Sequence, residues 1–160
     1  MQEGERIGME VIPGVELSVE YPKGTMHLLG YFIDPDDGKL LGTLRRVQEA
    51  RAERNRKMVE RLKELGMPIR LEEVAALSPE GQICRPHFAR VLVQKGYVKD
   101  VQEAFDRYLR KGGPAYVEKV RLTPEEAIHL IIDAGGVPVL AHLFTLNRGE
   151  EELEKIILYL

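Results

Sequence analysis

A chain of 160 residues that is 44% hydrophobic and 31% charged has the composition of a globular protein, with room for one ordinary domain or for a core carrying one inserted lobe. Its net charge of −3 argues against a chain built throughout to coat nucleic acid, and no stretch approaches the roughly 20 apolar residues that cross a bilayer. The start, Met1-Gln2-Glu3-Gly4-Glu5-Arg6, lacks the apolar core of a signal peptide, so the expected setting is the cytoplasm with no membrane partner. The single cysteine, Cys84, can form neither an internal disulfide nor a zinc knuckle, and stability must come from burial or from ions held by other side chains.

In chain order, the apolar run Met9 to Ser18 reads as a first strand. Tyr21-Pro22-Lys23-Gly24-Thr25 has turn chemistry and Met26 to Ile33 reads as a second strand, so the two are expected to pair as a hairpin. Asp34-Pro35-Asp36-Asp37-Gly38 breaks that strand. Leu40, Leu44, Val47, Met58, Val59, Leu62 and Leu65 then mark the apolar side of a long helix that Gly66 and Pro68 end. A short helix is expected from Leu71 to Leu77. Pro86 and Gly96 bracket a third, and Asp100-Val101-Gln102-Glu103 is a capping box for a fourth that ends at Gly112-Gly113-Pro114. The many charges of the long helix, Arg45, Arg46, Arg51, Arg54 and Arg56 among them, read first as a solvated face and second as an edge that attracts phosphate.

The last third returns to α/β. Thr123-Pro124-Glu125-Glu126 caps a helix that Gly135-Gly136 ends, and Val137 to His142 reads as a short apolar strand of the buried, parallel kind. A helix from about Arg148 to Leu160 follows. An apolar strand near one end and Ile156-Ile157-Leu158-Tyr159-Leu160 at the other suggest flanking structure beyond both. Glu16 and His27 lie on neighbouring hairpin strands and His142 ends a third, so one carboxylate and two imidazoles could converge. Such a set suits divalent zinc, manganese or iron. Taken singly, each histidine reads more readily as a hydrogen-bonded core residue and Glu16 as a merely exposed acid.

The segments Ile12-Pro13-Gly14-Val15-Glu16-Leu17-Ser18, His27-Leu28-Leu29-Gly30-Tyr31, Arg85-Pro86-His87-Phe88-Ala89 and Gly113-Pro114-Ala115-Tyr116-Val117, with Ala141-His142 after Gly135-Gly136, resemble the PHP (polymerase and histidinol phosphatase) family. The likeness is to its stand-alone phosphoesterases and runs from about Val11 to the C-terminus. It implies that Glu16, His27 and His142 are metal ligands, with two or three divalent ions (manganese, zinc or iron) in a complete site. The fold implied is α/β: a partial distorted β/α barrel over residues 1–39 and 115–160, with residues 40–114 as a mostly helical lobe inserted over the active-site mouth. The family's His-x-His, Thr-Asp-His and Asp-x-His segments have no counterpart in the chain, and Leu143 and Cys84 stand where the family usually has proline and glycine.

Arg85 and His87 flank Pro86 at a helix start, where free N–H groups favour an anion, so both are candidate substrate-binding residues. Lys119, after the Gly-Gly-Pro turn, extends an anion-attracting rim. No catalytic residue is expected beyond the metal ligands. The function implied is part of a phosphoesterase acting through a metal-bound hydroxide on a phosphorylated small molecule, a nucleotide or a short oligonucleotide. The chain is expected to be inactive alone and, with apolar edges exposed, able to self-associate. The alternative is a non-catalytic helical interaction module or one part of a multi-chain assembly.

Overall fold

A computed structural model describes residues 2–22, 24–78 and 81–160. Lys23 of the expected turn and Met1 of the expected start lie outside the described residues. The chain divides into two compact units, residues 1–47 with 121–160, and residues 48–120.

In the first unit, a short helix α1 (Gln2–Arg6) precedes the hairpin of β1 (Gly14–Val19) and β2 (Met26–Tyr31), which pair antiparallel with Ser18 opposite His27 and Glu16 opposite Leu29. The first strand is shorter than its sequence suggests. The reason is the partner: Gly14 pairs with Tyr31, and the next residue, Phe32, takes a left-handed backbone (φ 58°) that ends the ladder, while Met9 N–H donates back to Gly4 O instead. Side chains alternate across the pleat, so Leu17, Val19, Met26 and Leu28 are buried on one face while Glu16, Ser18 and His27 share the other.

The helix α6 (Pro124–Asp133) covers the buried face, started by a reciprocal cap in which Thr123 Oγ1 accepts from Glu126 N–H and Glu126 accepts from Thr123 N–H. Gly30 permits this packing, because a Cβ there would stand 2.9 Å from Ile131 Cγ1. Leu28 and Ile131 are among the fully buried side chains of this core, each contributing about 1.5–3 kcal/mol by burial.

The strand β3 (Val137–Leu140) corrects the sequence reading in two respects. It pairs antiparallel with β2, not parallel, and it is only half buried, forming an edge of the sheet order β1-β2-β3. Val139 faces the same side as its partner Leu29, and Val137 the same side as Tyr31, so that face of the sheet carries exposed apolar groups beside Glu16 and His27. α6 lies on one face only, which is why an apolar strand need not be a buried one. A 3-10 turn (Leu143–Leu146) and α7 (Glu150–Tyr159) complete the unit.

The long helix α2 (Gly38–Glu64) is capped where Asp37 Oδ1 accepts from Leu40 N–H. It gives Leu40 and Leu44 to the core of the first unit and Met58 and Leu62 to that of the second. The second unit adds α3 (Leu71–Ala75), α4 (Arg85–Gln94) and α5 (Val101–Ala104), the last continuing into a π-helical turn Phe105–Leu109. Asp100 caps α5 as its sequence suggests, accepting from Glu103 N–H. Phe88, Val74, Leu92 and Leu109 close the core around Met58 and Leu62. The solvated-face reading of α2 fails at one residue: Arg54 is only 5% exposed.

Candidate functional site

Glu16 and His27 share a face because they are diagonal neighbours: His27 is opposite Ser18, and Glu16 is two residues along the same strand. A slip of one residue would have put them on opposite faces. His27 Nδ1 lies 2.6 Å from Glu16 Oε1. His142 joins them from beyond β3. The ladder runs on to Ala141, whose N–H donates to His27 O, and His142 then takes a positive φ of 28°. Such a backbone costs a non-glycine residue about 1–3 kcal/mol and persists only where the surroundings impose it. Its imidazole meets the His27 ring edge-on at 4.8 Å, with Nε2 3.0 Å from His27 Nδ1 and 3.4 Å from Glu16 Oε1.

These three atoms fit a divalent ion. Bonds of about 2.1 Å at tetrahedral angles hold donor atoms about 3.4 Å apart, and the separations of 2.6, 3.0 and 3.4 Å reach that spacing with a small withdrawal of His27 from Glu16. Glu16 is half exposed, which leaves room for further ligands or a substrate on the open side.

Thr145, in the 3-10 turn, reaches His142. Its hydroxyl lies 2.7 Å from Thr25 O, 3.0 Å from His142 O and 2.9 Å from His142 Nδ1, and when it donates to either carbonyl it accepts from His142 Nδ1–H. In that tautomer the lone pair of Nε2 is directed at Glu16 and His27. A hydrogen-bonded outer partner of this kind orients a metal-binding imidazole. Gly24 makes the approach possible, since a Cβ there would stand 2.3 Å from Thr145 O.

Arg85, His87 and Lys119 belong to the helical unit, apart from this cluster in the chain's division. Cys84 N–H donates to His87 Nδ1, so His87 caps α4 and keeps its Nε2–H as a donor. With His87 N–H bonded to Cys84 O and Pro86 lacking one, few backbone donors remain at this helix start, contrary to the expectation of free N–H groups. Any anion there must be held mainly by side chains. Arg85 is half buried, donates to Leu109 O at 3.1 Å, and lies over the Tyr116 ring at 5.3 Å. Lys119 is half exposed.

No family model matches the chain. Individual relatives do. The chain is 37% identical over 155 residues to a 3',5'-nucleoside bisphosphate phosphatase of Chromobacterium violaceum, covering 96% of this chain and 54% of the relative. It is 32% identical over 151 residues to the 5'-3' exoribonuclease Rnm of Escherichia coli, covering 94% and 52%. Among solved structures, it superposes with a TM-score of 0.75 and 35% identity on an amidohydrolase of Chromobacterium violaceum with bound sulfate and no metal, over 98% of this chain and 56% of that one. The chain belongs to the PHP family of phosphoesterases. A further PHP-like structure, described as a candidate metal-dependent phosphoesterase of Bifidobacterium adolescentis, matches with a TM-score of 0.72 and 29% identity over 98% of this chain and 57% of that one. The chain thus spans about half the length of the curated relatives it matches. Within this PHP chain, sequence reasoning missed Thr145. A threonine three residues after a strand-end histidine is a usable signal for it.

Proposed function

We propose that this chain supplies part of the active site of a metal-dependent phosphoesterase that hydrolyses phosphate esters of nucleotides or short oligonucleotides. The meeting of Glu16 Oε1, His27 Nδ1 and His142 Nε2 carries this reading; the names borne by the relatives support it. These residues would hold divalent manganese, zinc or iron, two or three ions in a complete site. When bound, such ions polarise a phosphoryl oxygen and make water a better nucleophile at neutral pH.

The chain's own residues prepare for that chemistry. Glu16 brings a carboxylate that offsets the ion's charge, and Thr145 keeps His142 in the tautomer whose Nε2 can bind. Arg85 and His87 Nε2–H, with Lys119, would hold substrate phosphate. In this reading the three strands are part of a distorted β/α barrel formed by residues 1–39 and 115–160, with 40–114 inserted, and the setting is cytoplasmic. The exposed Val137, Val139 and Phe144 support self-association of the isolated chain, which by itself releases little phosphate.

The test is bound metal after loading with manganese or zinc and dialysis. Close to one ion per chain is expected to remain, and Glu16→Ala and His142→Ala are expected to lose it. A wild-type chain that retains none would defeat the reading.

A further inference from the structure

The 3-10 turn Leu143–Leu146 presents one aromatic ring to solvent beside the cluster of Glu16, His27 and His142. Phe144 is 81% exposed, and its ring lies 6.0 Å from the His142 ring, tilted 54° to it. The turn is held on both sides of that ring. Thr145 N–H donates to His142 O at 3.0 Å, Thr25 N–H donates to Thr145 O at 2.9 Å, and Leu146 is fully buried in the core of the α/β unit. Leu146, not Phe144, fills that core, and burying Phe144 would require breaking the turn.

A phenyl group so placed adds little to the burial that holds the fold, and its flat apolar face suits one kind of ligand group. An aromatic ring fixed in advance stacks on a nucleobase with little further loss of conformational freedom. The neighbouring cluster supplies a place for the other end of such a ligand. An ion bonded about 2.1 Å from His142 Nε2 lies within one nucleotide's length of the Phe144 ring. A phosphate at that ion and a base on that ring can therefore belong to one molecule. A second copy of the chain could also cover the ring, but a twofold contact around this cluster would bring the half-exposed Glu16 carboxylates of both copies toward one another.

We infer that Phe144 is the stacking platform for the nucleobase of a nucleotide whose phosphate is held at the centre of Glu16, His27 and His142. The inference rests on the reading of that centre as a metal site, and deepens it by naming the part of the substrate recognised away from the reacting phosphate. Every base has a π-face, so the platform takes purines and pyrimidines alike. What it discriminates against is a sugar phosphate that carries no base.

The experiment uses the whole chain loaded with zinc, with adenosine 5'-monophosphate and ribose 5-phosphate as probes that differ in the base. Calorimetry is expected to show the nucleotide bound roughly 5–150-fold more tightly by wild type. Phe144→Ala is expected to lose that preference while keeping its zinc, its Tm and its affinity for ribose 5-phosphate, and Phe144→Trp to keep the preference. In NMR spectra the Phe144 ring protons are expected to shift with the nucleotide and not with ribose 5-phosphate. A zinc-loaded wild type that fails to bind the nucleotide, or binds both probes equally, overturns the proposal, as does a preference that survives in Phe144→Ala. A Phe144→Ala variant altered only in its sedimentation assigns the ring to a contact between copies and overturns it too. A chain that retains no zinc defeats the metal centre instead, and adenosine then tests the platform alone: a shift of the Phe144 ring protons supports it and no shift overturns it.

Discussion

The two units solve the burial problem differently. In the helical unit, α2 to α5 turn their apolar sides inward around Phe88, Met58, Leu62 and Leu92, and the core is closed by residues near in sequence. In the α/β unit, α6 covers one face of a three-stranded sheet, while the other face shows Val137, Val139 and Tyr31 to solvent beside Glu16, His27 and His142. A helix can bury its stripe against any neighbour, whereas a sheet has two faces and a single layer of helix serves only one. The polar cluster lies on the face that α6 leaves uncovered, partly open to solvent. The helical unit keeps its unpaired polar group inside, on Arg54.

The largest expected effect comes from breaking one core and leaving the other. Phe88→Ala removes a fully buried ring and should lower stability by about 3–5 kcal/mol in chemical denaturation, while the metal retained by the α/β unit under native conditions stays unchanged. Gly24→Ala tests the reverse. Gly24 has a φ of 80°, and its Cβ would meet Thr145 O at 2.3 Å; about 1–3 kcal/mol of stability should be lost, with weaker metal retention in the same variant. Thr145→Val separates the metal centre from the fold around it: equilibrium dialysis should show metal affinity 10–100-fold lower, approximately, and Thr145→Ser should restore it. Equal affinity in the valine variant would remove Thr145 from the centre.

The smallest effect is electrostatic. Hydrogen bonding to Lys39, aided by its charge, lowers the Asp133 pKa below the usual carboxylate value. The folded state therefore binds this proton less readily than the unfolded one. The contribution is present above the unfolded value of about 3.9 and is lost as pH falls through the native one. Asp133→Asn should be slightly less stable than wild type at pH 7, with the gap closing below about pH 4. Both groups are largely exposed, and salt should shrink the gap further.

Much of this molecule is legible in its residues. The caps at Asp100 and Thr123 and the stops at Gly66, Gly96 and Gly135 mark helices whose ends depend on local hydrogen bonds, and they lie close to where the spacing puts them. The candidate ligands Glu16, His27 and His142 were nameable from motif resemblance, because the residue types suited to a divalent ion are few. Strand pairing was not legible in the same way. An apolar run such as Val137 to Leu140 states that it pairs, but not the direction or which face stays uncovered.

By itself, then, the sequence determined the helices, the hairpin and the identity of the chemical groups, since these follow from interactions among residues close in the chain. Only the tertiary structure decided the register that sets Glu16 diagonal to His27, the antiparallel edge position of β3, the reach of Thr145 to His142 and the burial of Arg54. The place of β3, the anchoring of Thr145 on Thr25 and the burial of Arg54 depend on contacts between segments from 63 to 120 residues apart, and neither periodicity nor capping carries information over that separation.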